Sequence, residues 1–201
     1  MALVIVVLVL YYAMKFIDIQ FDNMKVKKET QKEDKLTVLR QQVSTTVQAL
    51  LERTVLRTQA SRVCVNEFHN GTKTTGGLPF LKMSCTYEAL NEGVNSVAHN
   101  RQDLPMQLYN VSTEALFNNP YIIIDTNNRT DIDSALGYET LAKLGIAVAA
   151  RVKITNIEKK AIGYVSAEWS EPADDKTLQH AAGILQDIAT ELGALLSVNP
   201  K

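Results

Sequence analysis

The first fourteen residues, Met1 to Met14, carry no charge and no strongly polar side chain, whereas the rest of the 201-residue chain reads as water-soluble. Val4 to Leu10 is an unbroken aliphatic run, and Tyr11-Tyr12 follows where amphipathic rings meet lipid headgroups. Lys15 interrupts the run and Phe16-Ile17 extends it. A membrane-crossing helix needs about 20 apolar residues, and a snorkelling lysine adds reach to a shorter one. The expectation is a transmembrane anchor over residues 1–17, followed by a polar juxtamembrane stalk over 18–34. A cleaved signal peptide needs a basic start and a small-residue cleavage site. No lysine or arginine precedes Lys15, and Tyr-Tyr-Ala-Met is a poor cleavage context. An apolar run at the extreme N-terminus also has little to pack against as a core element.

Residues 15–40 hold seven basic side chains: Lys15, Lys25, Lys27, Lys28, Lys32, Lys35 and Arg40. Because basic residues are retained on the cytoplasmic side, they favour a cytoplasmic soluble domain. The same lysines read as a solvated linker or as a contact with membrane lipid, whose anionic headgroups they would attract only weakly past Asp18, Asp22, Glu29, Glu33 and Asp34. The net charge of −1 gives no bulk attraction to nucleic acid.

From Lys35 the pattern turns helical, with Leu36, Leu39, Val43, Val47, Leu50 and Leu51 along one face as far as about Thr58. Ser61–Phe68 reads as a strand and His69–Pro79 as a Gly-rich connection. Phe80–Tyr87 reads as a second strand, with Leu81, Met83, Cys85 and Tyr87 on one face. Residues 89–119 are mixed and helical in parts, and Tyr121–Ile124 is a short strand. Asp131–Leu144 reads as a helix stopped by Gly145. Ile146–Ile154 and Ala161–Trp169 form a hairpin, and a closing helix opens at Asp174 or Asp175 and ends near Ser197. That order predicts an α+β class: an antiparallel sheet with flanking N- and C-terminal helices, occupying residues 35–198 and preceded by one transmembrane helix. The apolar seams of the flanking helices suit pairing within one chain or in a homo-oligomer.

Cys64 and Cys85 straddle the first hairpin. They read either as two small buried hydrophobes or, in an exported domain, as a disulfide. No CxxC or HxxxH spacing supports a metal, no GxSxG or complete P-loop supports catalysis, and no cofactor is implied.

Leu144-Gly-Ile-Ala-Val-Ala-Ala-Arg-Val, then Ala161-Ile-Gly-Tyr-Val-Ser-Ala-Glu-Trp, then the helix from Lys176 to Leu196, resembles the C-terminal half of a GAF domain. PAS-like sensor folds share much of this outline. The resemblance implies a small-ligand and dimerisation module. Some GAF domains bind cyclic nucleotides, tetrapyrroles or haem. This chain lacks an NKxxE-type motif, and neither cysteine has the neighbourhood of a bilin-attachment site. In architecture, one span followed by a soluble α+β domain also resembles the holins of T-even-like phages. That family exports its soluble domain to the periplasm, against the basic flank seen here.

The most site-like cluster is Glu67-Phe68-His69-Asn70, where a strand meets the Gly-rich loop. With Gly77, which permits close backbone approach, and Tyr87, it forms the candidate rim of a pocket for a small ligand or regulatory protein. Asn70-Gly71 is equally plain turn chemistry. The function these features favour is a membrane-anchored, non-enzymatic GAF/PAS-like sensing or binding module that signals through its paired helices. The alternative is a holin-like lysis timer whose soluble domain binds an inhibitor.

Overall fold

The computed structural model describes residues 2–73, 79–127 and 140–197, with side chains from Met14 onward except at 32, 71–73 and 79–80. It divides into two compact units, Met1–Ser44 and Thr45–Asn199.

Helix α1 spans Ala2–Thr58. No glycine or proline occurs before Gly71, so nothing breaks the backbone hydrogen-bond ladder. The stalk over 18–34 is therefore helical rather than extended. In the first unit Phe16, Ile17, Phe21 and Met24 are exposed. Among the described residues no helix is long and apolar enough to cross a membrane. The side chains of the run Val4–Leu10 lie outside that description.

In the second unit the last turns of α1 bury Val47, Leu51 and Val55. Thr54 and Thr58 are buried too, and their hydroxyls donate back to the carbonyls of Leu50 and Thr54, both at 2.8 Å. Gln59, with φ of 53°, ends the helix in a left-handed conformation. The sheet is built from β1 (Arg62–Lys73), β2 (Pro79–Leu90), β3 (Leu104–Pro105), β4 (Ile122–Asp125), β5 (Val148–Thr155) and β6 (Ala161–Trp169). Its strand order is β3-β2-β1-β6-β5-β4, and all pairings are antiparallel. Between β3 and β4 lie a 3-10 turn (Met106–Tyr109) and helix α2 (Asn110–Asn118). Helix α3 (Asp175–Leu196) closes the unit, capped by Asp174, whose Oδ1 accepts from the Thr177 amide at 2.7 Å.

The sheet is buried on both sides. One face carries Val63, Val65, Val152, Ile154, Val165 and Ala167. Helix α3 approaches it so closely at Gly193 that a Cβ there would lie 2.1 Å from the Thr155 carbonyl oxygen. The other face carries Phe68, Met83 and Tyr164. Met106, Tyr109 and Leu116 cover it from the 3-10 turn and α2. In β5, Ala149 and Arg151 on one face are buried as well as Val148, Ala150 and Val152 on the other.

Two expectations need correction. The Gly-rich stretch is not simply a connection: His69↔Lys82, Asn70↔Leu81 and Lys73↔Pro79 are paired in a β-ribbon. Cross-strand pairing overrides the turn preference of Asn70-Gly71. Tyr87 does not share a face with Cys85 either. Asn66 pairs with Cys85 but Val65 pairs with Tyr87, so exposed Thr86 is an extra residue, a β-bulge. The expected helix over Asp131–Leu144 lies outside the described residues as far as 139. Its end is as expected: Gly145 has φ of 66°, and the amides of Gly145 and Ile146 donate to the carbonyls of Ala142 and Leu141, a Schellman stop.

Candidate functional site

Among the described residues the sequence-predicted rim divides between the two faces of the sheet. Consecutive strand residues point to opposite faces, so Glu67 and His69 lie on one face of β1 while Phe68 and Asn70 lie on the other. The bulge sends Tyr87 to the face of Val65 and Glu67. Phe68 is packed edge-on to Phe117 at 6.0 Å and tilted to Tyr164 at 6.1 Å. His69 Nε2 is hydrogen-bonded to Ser84 Oγ at 2.8 Å, and the Asp103 amide donates to the same oxygen. Asn70 is exposed, and Gly77 lies outside the described residues.

The cysteines are free, buried thiols, so the candidate disulfide is not formed. The register sets Cys64 opposite Glu88 and Cys85 opposite Asn66 rather than opposite each other. The hydrogen bond that the Cys64 thiol donates to Cys85, then burial, push it well above its usual range. It is therefore neutral and a poor nucleophile.

The polar chemistry of the interior lies elsewhere, on the face of the sheet covered by α2. Its side chains are Arg62, Cys64 and Asn66 from β1, Ser166 and Glu168 from β6, and Arg151 from β5. The register places Arg62 opposite Glu168, Cys64 opposite Ser166, and Ser166 opposite Arg151. Arg101 joins them from the segment before β3. Glu168 is 1% exposed, and Arg62, Arg101 and Arg151 are all buried.

Arg101 grips Glu168 with two parallel hydrogen bonds, Nη1 to Oε1 at 2.8 Å and Nη2 to Oε2 at 3.1 Å. Ser166 Oγ donates to Oε1 at 3.0 Å. Arg62 Nε stands 3.9 Å from Oε2, and Arg62 Nη2 donates to the Leu144 carbonyl at 3.4 Å. The Arg151 guanidinium lies over the Tyr164 ring, 5.1 Å from its centroid. Burial alone would raise the Glu168 carboxyl pKa. The charges of Arg101, Arg151 and Arg62 outweigh burial and hold it below its ordinary value. Burial likewise pulls Arg101 down, but Glu168 overrides it and the guanidinium is raised.

A second acid, half-buried Glu88, accepts from Ser96 Oγ and from the Val97 amide at 3.0 Å. Cys64 Sγ sits between Glu88 and Arg101, 4.0 Å from Glu88 Oε1 and 3.9 Å from Arg101 Nη1. Among the described residues no cluster of His, Cys, Asp and Glu is able to hold a metal. A groove of about 310 Å³ lies against α3 and the β5–β6 turn. Its polar lining, Lys153, Asn156, Gln186 and Thr190, is not buried.

Sequence reasoning passes over this cluster because each charge sits alone in its own segment. The available signal is the period-2 spacing of Arg62-Cys64-Asn66 and Tyr164-Ser166-Glu168, polar residues inside strands that are otherwise apolar on both faces.

This architecture is a GAF-like fold. The chain is similar to GAF3 of Slr1393 from Synechocystis sp. PCC6803 in its photoproduct state, with a TM-score of 0.56 at 12% identity over 77% of this chain and 93% of that one. It is similar to the blue-light absorbing form of the PixJ GAF domain of Thermosynechococcus elongatus, with a TM-score of 0.57 at 12% identity over 77% and 87%. It is also similar to the phycocyanobilin-bound GAF domain from a cyanobacterial phytochrome, with a TM-score of 0.56 at 16% identity over 81% and 90%. No protein-family model and no curated protein matches the chain. Likeness at this level of identity carries the fold and not the ligand.

Proposed function

We propose that the chain is a membrane-anchored, non-enzymatic sensing or binding module. Its GAF-like unit recognises a small ligand on the α2-covered face of the sheet. The observation that carries this reading is the buried polar layer around Glu168. Buried ionic groups destabilise a core unless they are paired, and a replacement by apolar residues is often more stable. A layer of three arginines in the interior is therefore better suited to binding than to holding the fold. The site is the sheet interior rather than the hairpin rim, and of the predicted residues only Phe68 borders it.

Binding would act by differential affinity for two arrangements of the flanking helices α1 and α3. The exposed Ile17, Phe21 and Met24, spaced four and three apart along α1, suit pairing with a second copy. Residues 1–17 would hold the chain at a membrane, with the GAF-like unit on the cytoplasmic side by the distribution of lysines. No observation favours the holin-like alternative.

The test is to purify the full chain in mild detergent, denature it and identify released small molecules by mass spectrometry. A metabolite screen by thermal shift runs in parallel. A compound released in stoichiometric amount, or a saturable stabilisation, is the expected result. An empty protein that no metabolite stabilises would overturn the reading. Reporters fused to Lys201 that work on one side of the membrane only test the topology separately.

A further inference from the structure

Three buried guanidinium groups surround one fully buried carboxylate. Arg101 and Ser166 make three hydrogen bonds to Glu168, and Arg62 stands only at ion-pair distance from it. Arg151 has the face of Tyr164 beneath it. Four buried donors on this layer have no hydrogen-bond acceptor among the described residues: Arg62 Nε and Nη1, Arg151 Nε and Asn66 Nδ2. Asn66 is 2% exposed, Arg62 4% and Arg151 6%. Every orphaned group is a donor. Arg62 still has Glu168 at ion-pair distance, whereas Arg151 Nε and Asn66 Nδ2 are left with no acceptor oxygen among the described residues.

Among the described residues Glu88 does not supply one, because its carboxylate is held by Ser96 and Val97 on the far side of Cys64. Asn66 pairs with Tyr164 across β1 and β6, and Arg151 lies over the Tyr164 ring. The two orphaned groups thus both border this aromatic side chain. The guanidinium fork matches the paired oxygens of a carboxylate or phosphate, and a primary amide N–H donates to the same oxygens.

We infer that the GAF-like unit binds a small oxyanion, a carboxylate or phosphate group, between Arg151 and Asn66 beside Tyr164, where it adds negative charge to a layer in which three arginines share one carboxylate. The inference rests on the proposed binding role of this face and gives it a ligand class.

The full chain, dialysed free of oxyanions, is melted in rising sodium acetate, inorganic phosphate or sodium chloride at matched ionic strength. A saturable rise in Tm of roughly 5–10 °C is expected once the effective anion exceeds its Kd about a hundredfold. Whether acetate or phosphate produces it tells a carboxylate ligand from a phosphate one. In Arg151→Met the rise should vanish while the anion-free Tm stays level or increases, because a buried cation with no hydrogen-bonded carboxylate of its own has been replaced by an apolar side chain. Asn66→Asp provides a second variant. It builds a carboxylate into the layer, and should raise the anion-free Tm and blunt the response.

Chloride acting as well as either oxyanion, or an undiminished response in Arg151→Met, would overturn the inference. If a neutral compound is released from the purified chain and no oxyanion acts, the ligand class alone falls and the sensing role stands.

Discussion

Glu168 is the residue on which the interior depends. It is the one fully buried acid among three buried arginines, so Glu168→Gln leaves all three without a counter-charge. The expected loss is about 3–5 kcal/mol, read by urea unfolding at pH 7. The sign of its pH dependence follows from its depressed pKa. A carboxyl with an ordinary value of 4.5 that is lowered in the folded state contributes stability that is fully present above about pH 4.5. That contribution is lost as pH falls through the folded value, because the native state must then take up a proton the unfolded chain already holds. Unfolding free energies measured between pH 6 and 3 should slope steeply downward below 4.5 in the unmodified chain and less steeply in Glu168→Gln. Equal slopes would show that the cluster does not hold the charge assigned to it.

At the scale of elements, the two glycines of α3 make opposite demands. Gly193 is where the helix touches β5, and a methyl group there would meet the Thr155 carbonyl at 2.1 Å. Gly193→Ala should destabilise by about 1–3 kcal/mol, as overpacking does. Gly183 is one of the exposed positions of the same helix, and a methyl group there would meet nothing within 4 Å. Gly183→Ala should stabilise by about 0.5–1 kcal/mol through helix propensity alone. Thermal melts of the two variants read the contrast directly, and a matching sign would mean that α3 is not seated on β5 as described. The elements also show what sequence can convey. β6 and the Asp174 cap are legible because local signals and tertiary needs agree there. The hairpin misleads because Asn70-Gly71 looks like a turn, while pairing with the returning strand at 79–82 recruits residues 69–73 into β1. The bulge at Thr86 leaves no mark on the apparent alternation, so the pattern alone puts Tyr87 on the wrong face. The charged layer is invisible for a related reason: its members come from four separate segments, and only the register brings them together.

For the whole molecule, the two thiols provide an internal gauge of opening. Cys64 and Cys85 sit on β1 and β2, both buried, and the Cys64 thiol is held neutral. Both should resist iodoacetamide at pH 8 in the folded chain and react together in denaturant. Labelling in mild denaturant should follow the global unfolding curve, because the central strands open last. Rapid labelling of either cysteine in native buffer would show that this part of the sheet opens by itself. The bulge at Thr86 bears, finally, on how such a sheet changes over generations. A codon gained within a strand ordinarily turns every later side chain onto the opposite face. Here the ladder holds one exposed residue out of register, so Tyr87 still faces Val65 and Glu88 still faces Cys64. Descendants that lose Thr86 would keep the same interior, and lineages of this hairpin are free to differ in length by one residue at the place where a difference costs the charged layer nothing.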